Sequence, residues 1–168
     1  MDRSESSGKT TNSEALVTSH ILLRVKTEDG KTIKAHKEIV DKKGLVLLGK
    51  LGRALSVASI KTLNDQIAGG TDTYLFLTTR EGWNGPYVTY QCLIRGVDSQ
   101  LDESQLFLVP KYYSSDYKNI KTWFKISSID KMSKERMNQI YVLSSGRSIM
   151  SVVKSSATTF LVGLKSSP

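Results

Sequence analysis

Apolar positions along the chain come mostly in short, often β-branched runs divided by polar turns, a rhythm of strands more than of long helices. Leu16–Val25 is the first such run. Glu28-Asp29-Gly30-Lys31 then supplies a hairpin-like turn before Thr32-Ile33-Lys34-Ala35, so two strands, or a strand and a short return, are predicted. Residues 36–43 can turn Ile39 and Val40 inward and are followed by Gly44, which predicts a short helix closed by a left-handed glycine. Leu45–Leu48 reads as a fully buried strand. The clearest helix runs from Ser56 to about Ala68: Ser56 caps it, Leu55 and Ile60 stand at stapling positions, and Ile60, Leu63 and Ile67 make one apolar stripe before Gly69-Gly70 ends it.

Thr73–Thr79 and Tyr87–Val97 are strong strands, predicted to form an antiparallel hairpin around a long tip, residues 80–86, that carries Trp83. Leu106–Val109 and Lys121–Ile126 read as strands on either side of a tyrosine-rich segment, and Ser133–Ile140 as a short helix capped by Ser133. Of Trp123 and Phe124, neighbours on one strand, alternation assigns one to the core. Strands outnumber helices and their connections are too irregular for βαβ alternation, so the expected class is α+β: a small mixed or strongly curved sheet with helices at its edges. Residues 1–15 have no apolar period and are expected to be a flexible tail. The rest, 16–165, is expected to be one domain with one core, since 168 residues are too few for two well-buried ones.

Charge sharpens this picture. The chain carries 24 Lys and Arg against 16 Asp and Glu, a formal charge of +8, which points to a polyanionic partner. The excess is concentrated where acids are missing: between Asp41 and Asp65, between Asp116 and Asp130, and after Glu135. One cysteine, Cys92, excludes an internal disulfide framework and a cysteine-based zinc site. No apolar segment suits a signal peptide or a membrane span, so a soluble, cytoplasmic protein without membrane contact is expected.

Candidate chemistry is sparse. Gly44–Lys50 has the GxxxxGK spacing of a phosphate loop, but Leu51 stands where a Ser or Thr hydroxyl would meet magnesium, and the residues between the glycines look like the strand itself. His20 and His36 fit core or capping roles, and Cys92, in mid-strand, fits a buried thiol. No catalytic residue, metal site or cofactor is expected. The distinctive stretch is Val109–Lys121, where Tyr112, Tyr113 and Tyr117 are interleaved with Lys111, Lys118 and Lys121. Rings beside cations suit an unstacked base and its phosphates, and Trp83 is a second candidate for an exposed ring.

The order of elements, with Gly44–Lys50 after a short helix, the helix from Ser56, Thr73–Leu77, Val109–Tyr113 and Trp123–Ile129, resembles the EVE-like branch of the PUA superfamily, which is related to YTH domains. In particular it is similar to the N-terminal DNA-reading domain of McrB-type modification-dependent restriction systems. The resemblance implies a small curved β-barrel with peripheral helices that flips a modified base, often N6-methyladenine, out of double-stranded DNA into an aromatic cage. Residue by residue, it implies that Leu47, Leu48, Gly49 and Lys50 form one pocket wall, that Tyr112, Tyr113 and Tyr117 form the other, and that Lys111, Lys118 and Lys121 meet phosphates. It also implies an AAA+ GTPase in the same polypeptide and a separate nuclease subunit. The chain departs from such relatives in having Leu47, Leu48 and Leu51 where they tend to carry tryptophans, which leaves the base open. A PUA-type RNA-binding domain and a protein-interaction domain with a basic surface are the alternatives.

Overall fold

The computed structural model describes residues 17–25, 31–80, 85–152 and 158–165. The expected tail, residues 1–15, and Trp83 lie outside the described residues.

Among the described residues, seven strands form one mixed sheet in the order β2-β5-β4-β3-β1-β7-β6: β1 (His20–Arg24), β2 (Val46–Gly49), β3 (Tyr74–Arg80), β4 (Tyr87–Asp98), β5 (Trp123–Lys131), β6 (Ile140–Val142) and β7 (Thr159–Leu164). β1 runs parallel to β3, and every other pairing is antiparallel. The expected barrel is not closed. Closure requires the two outermost strands to pair, whereas β2, with 4 residues, and β6, with 3, stand at opposite ends of the order. The register of β4 on β5 shifts around Ile94 and Gly96, the irregularity by which a long strand bends.

Successive side chains of a strand point to opposite faces, and here both faces are covered. On one, Ile21, Leu23, Val46, Leu48, Leu75, Leu77, Phe124 and Ile126 pack with Leu63 of helix α2 (Val57–Ala68) and with Ile33 and Val40 of helix α1 (Lys31–Lys43). On the other, Leu22, Phe76 and Val162 meet Met137 of helix α3 (Lys134–Met137) and Ile149 of helix α4 (Ile149–Val152). A third cluster gathers Leu47, Leu108, Tyr113, Ile120 and Trp123. Trp123 and Phe124 are therefore both buried, each on its own face.

Three expectations about local structure change. Thr32–Ala35 is the first part of α1 and not a strand, because Ile33, His36 and Val40 are the buried positions and their spacing is helical. Gly44 does close that helix, at φ +80°, donating its N–H to Val40 O. Leu106–Val109 is not a strand either: Glu103–Leu108 is a 3-10 helix, opened by Asp102, whose carboxylate accepts the Ser104 N–H. The Ser104 hydrogen bonds hold the Asp102 carboxyl below its ordinary pKa. The helix capped by Ser133 ends at Met137, since Ile140 already belongs to β6. A second 3-10 helix, Lys111–Asn119, carries the tyrosines. α2 starts where expected, with Ser56 Oγ accepting the Ser59 N–H.

Among the described residues no helix is long and apolar enough to cross a membrane. The GxxxxGK stretch is strand β2 and its flanks, with no phosphate-binding loop between the glycines.

Candidate functional site

A cavity of about 440 Å³ opens at the C-terminal end of β2. Leu48, Gly49, Lys50 and Leu51 form one side of it, Tyr112 and Tyr113 another; Leu23–Val25 at the end of β1, Thr32 of α1 and Thr158–Thr159 at the start of β7 complete it.

Gly49 is a glycine because two segments close on it. A Cβ there would lie 2.9 Å from Ile120 Cδ1 and 3.0 Å from Trp123 Cζ3, with no room for either to keep its place. The bare backbone lets the hydroxyl of Tyr113 reach the main chain, where it accepts the Gly49 N–H at 2.9 Å. For its own proton the hydroxyl has His36 Nε2 at 3.2 Å and the Gly49 carbonyl at 3.3 Å within reach, and the Tyr112 side chain is a further hydrogen-bond partner.

The state of His36 follows from its surroundings. Its Nδ1 lies 2.8 Å from the Thr32 carbonyl, which only accepts, so Nδ1 carries the hydrogen and Nε2 is left as an acceptor. Burial lowers its pKa to about 4, against the weaker upward pull of the Thr32 bond, and the ring is neutral near pH 7. Burial likewise pushes the Tyr113 hydroxyl well above its ordinary pKa, so it keeps its proton. Helix α1, strand β2 and the second 3-10 helix are thus joined through one buried hydroxyl.

Tyr112 stands on this base. Its ring stacks on Tyr113 with centroids 4.4 Å apart and 24° between planes, and meets His36 edge-on at 5.8 Å. Unlike Tyr113 it is half exposed, at 49%. Lys50 is buried, its ammonium donating to the Arg53 carbonyl, and its pKa is lowered first by burial and then by the Arg53 charge.

Of the residues singled out in the sequence, Leu48, Gly49, Lys50, Tyr112 and Tyr113 come together around the cavity. Tyr117 does not line it; half-buried, it packs against the cluster of Leu47, Leu108 and Trp123. Leu47 faces that cluster too, away from the cavity. Lys111, Lys118 and Lys121 are exposed on or just after the helix that carries Tyr112. Arg24, Thr32, Thr158 and Thr159 join the cavity with no local signal in the sequence that points to them. His36 is buried, as a core or capping role requires, and its ring is held between the Thr32 carbonyl and the Tyr113 hydroxyl. His20 is also buried, its Nδ1 accepting the Tyr74 N–H at 3.0 Å, and burial, helped by Arg136, lowers its pKa to about 4. Cys92 lies in the core, where burial raises its thiol pKa and disfavours the thiolate.

No curated protein and no solved structure matches the chain. A family model described as Pua-like matches residues 21–156, which takes in the whole of β2, Tyr112, Tyr113 and His36.

Proposed function

Because the chain belongs to the Pua-like family, we propose that it is a non-catalytic nucleic-acid-binding module that takes one unstacked, modified base into the cavity beside Gly49. The observation that carries this reading is the half-exposed ring of Tyr112, held from behind by Tyr113 and lining a cavity of about 440 Å³. That volume lies within the range of roughly 300 to 1,000 Å³ in which proteins enclose small molecules. Leu48 makes an apolar side suited to a methyl substituent, and Lys111, Lys118 and Lys121 supply cations for the neighbouring phosphates.

The partner we assign is duplex DNA in a modification-dependent restriction system, with an AAA+ GTPase of the same polypeptide and a separate nuclease acting on the DNA so marked. The resemblance of Gly44–Lys50, Val109–Tyr113 and Trp123–Ile129 to McrB-type readers supports that assignment. A base inside a duplex is closed to such a cavity, so the reading requires it to be flipped out.

The test is fluorescence anisotropy with unmodified, N6-methyladenine and modified-cytosine duplexes, and a matched RNA duplex, at several salt concentrations. A modified DNA duplex is expected to bind best, with affinity falling steeply as salt rises. Stacking on an aromatic ring contributes about 1 to 3 kcal/mol per base, so Tyr112→Ala should weaken modified-base binding by about tenfold to a hundredfold while leaving the salt dependence in place. Equal binding of plain and modified duplexes by parent and variant would refute base capture. Tighter binding of RNA would move the partner to RNA, and no binding at low salt would remove nucleic acid as the partner.

A further inference from the structure

At the mouth of the cavity one apolar side chain stands out in water. Leu51 lines the cavity yet is 71% exposed, whereas Leu48, three residues earlier, is buried. Its position is held on both sides. The Lys50 N–H donates to Thr122 O at 2.9 Å and the Leu55 N–H to Thr122 Oγ1 at 3.1 Å, so both ends of the β2–α2 connection are fastened to one buried threonine. Between them Gly52 turns the chain at φ +82°, and the Lys50 ammonium closes the loop on the Arg53 carbonyl. The result is a short, braced projection with a leucine near its tip and the cation of Arg53 two residues on.

We propose that Leu51 is the wedge that enters the base stack as the target base leaves it. The inference rests on the base-capture reading above. A flipped base leaves a gap between its neighbours, and proteins that unstack DNA commonly fill such a gap with an apolar side chain such as Leu, Ile or Phe. Leu51 has the chemistry, the exposure and the place for that role, next to the cavity that receives the base. Because the loop is braced before DNA arrives, little order has to be imposed on it during binding. The wedge acts only on a duplex, since a single strand has no stack to be kept open.

This distinction gives the experiment. The probes are short duplexes carrying adenine, N6-methyladenine or 5-methylcytosine at one position with 2-aminopurine as its neighbour, and the same strands alone. The parent is expected to raise 2-aminopurine fluorescence on a modified duplex. Leu51→Ala should lose about tenfold in affinity for that duplex, and most of the fluorescence rise, while binding the modified single strand within about twofold of the parent. Leu51→Phe should restore duplex binding. The side chain is largely in water, so both variants should melt with the parent, which thermal unfolding checks. Equal losses on duplex and single strand would make Leu51 a cavity wall, and no loss on either would make it a bystander; both results overturn the wedge and leave base capture standing. A parent that neither prefers a modified base nor changes the fluorescence overturns base capture, and the wedge with it.

Discussion

Tyr113→Phe deletes one oxygen at the point where three elements meet. In the parent that oxygen accepts the Gly49 N–H at 2.9 Å and lies 3.2 Å from His36 Nε2, an acceptor within reach of its proton. Phenylalanine fills the same space and keeps the ring under Tyr112, so the change leaves packing alone and strands two buried polar groups. An unsatisfied buried group costs about 1 to 3 kcal/mol. Two of them, less the gain from no longer burying a hydroxyl, give a loss of roughly 2 to 4 kcal/mol. Set against the roughly 5 to 15 kcal/mol that holds a typical domain together, this is a large fraction. It corresponds to a fall in Tm of roughly 5 to 15 °C. Urea unfolding at pH 7 reads it directly, with the midpoint falling and the slope unchanged. A double-mutant cycle with His36→Leu adds a sharper check, because once the acceptor is gone part of the penalty has already been incurred and the combined loss should be smaller than the sum. A loss below about 0.5 kcal/mol, or simple additivity in the cycle, would refute the linkage through the hydroxyl.

Gly49→Ala should also destabilise, by about 1 to 3 kcal/mol, because the added methyl would stand 2.9 to 3.0 Å from Ile120 and Trp123; an unfolding midpoint equal to the parent's would show that the two side chains yield freely. Acid should weaken the fold before most carboxylates titrate. His20 and His36 hold their pKa near 4 in the folded chain against 6.5 when unfolded. Between those values the unfolded chain binds protons that the folded one refuses, so stability is full above about pH 6.5 and falls as pH drops towards 4, by at most about 3 kcal/mol per histidine. Urea midpoints measured across this window should fall with pH and do so less in His36→Leu; a flat profile would contradict the buried, neutral rings.

Much of the sheet could be read from local pattern. β2, the β3–β4 hairpin and α2 declare themselves because each is bounded by its own punctuation: Gly44 before β2, Ser56 before α2, Gly69-Gly70 after it. The start of α1 reads as a strand in the sequence because Glu28-Asp29-Gly30 looks like a hairpin turn and Thr32 and Ile33 are β-branched. The helical burial of Ile33, His36 and Val40 decides otherwise, and it depends on the sheet face they meet. β6 and β7 are not legible in the sequence because Ile140–Val142 is too short to show a period and β7 pairs with residues near the other end of the chain, His20–Leu23. The site divides in the same way. The tyrosines stand out through their interleaving with lysines and Gly49 through the resemblance, but nothing local says that Tyr113 turns in and Tyr112 out. That follows from a 3-10 helix and from a hydrogen bond to His36, 77 residues away in sequence.

The hydroxyl of Tyr113 has one more effect, on how separate molecules meet. β2 is an outermost strand of the sheet, and such strands offer backbone groups to which another chain can add itself, the usual beginning of aggregation. At Gly49, which has no side chain of its own, both main-chain groups are within hydrogen-bonding distance of that hydroxyl, the N–H at 2.9 Å and the carbonyl at 3.3 Å. A tyrosine from a distant segment thus stands where an eighth strand would begin, and the wall of the pocket is at the same time a guard on the open side of the sheet.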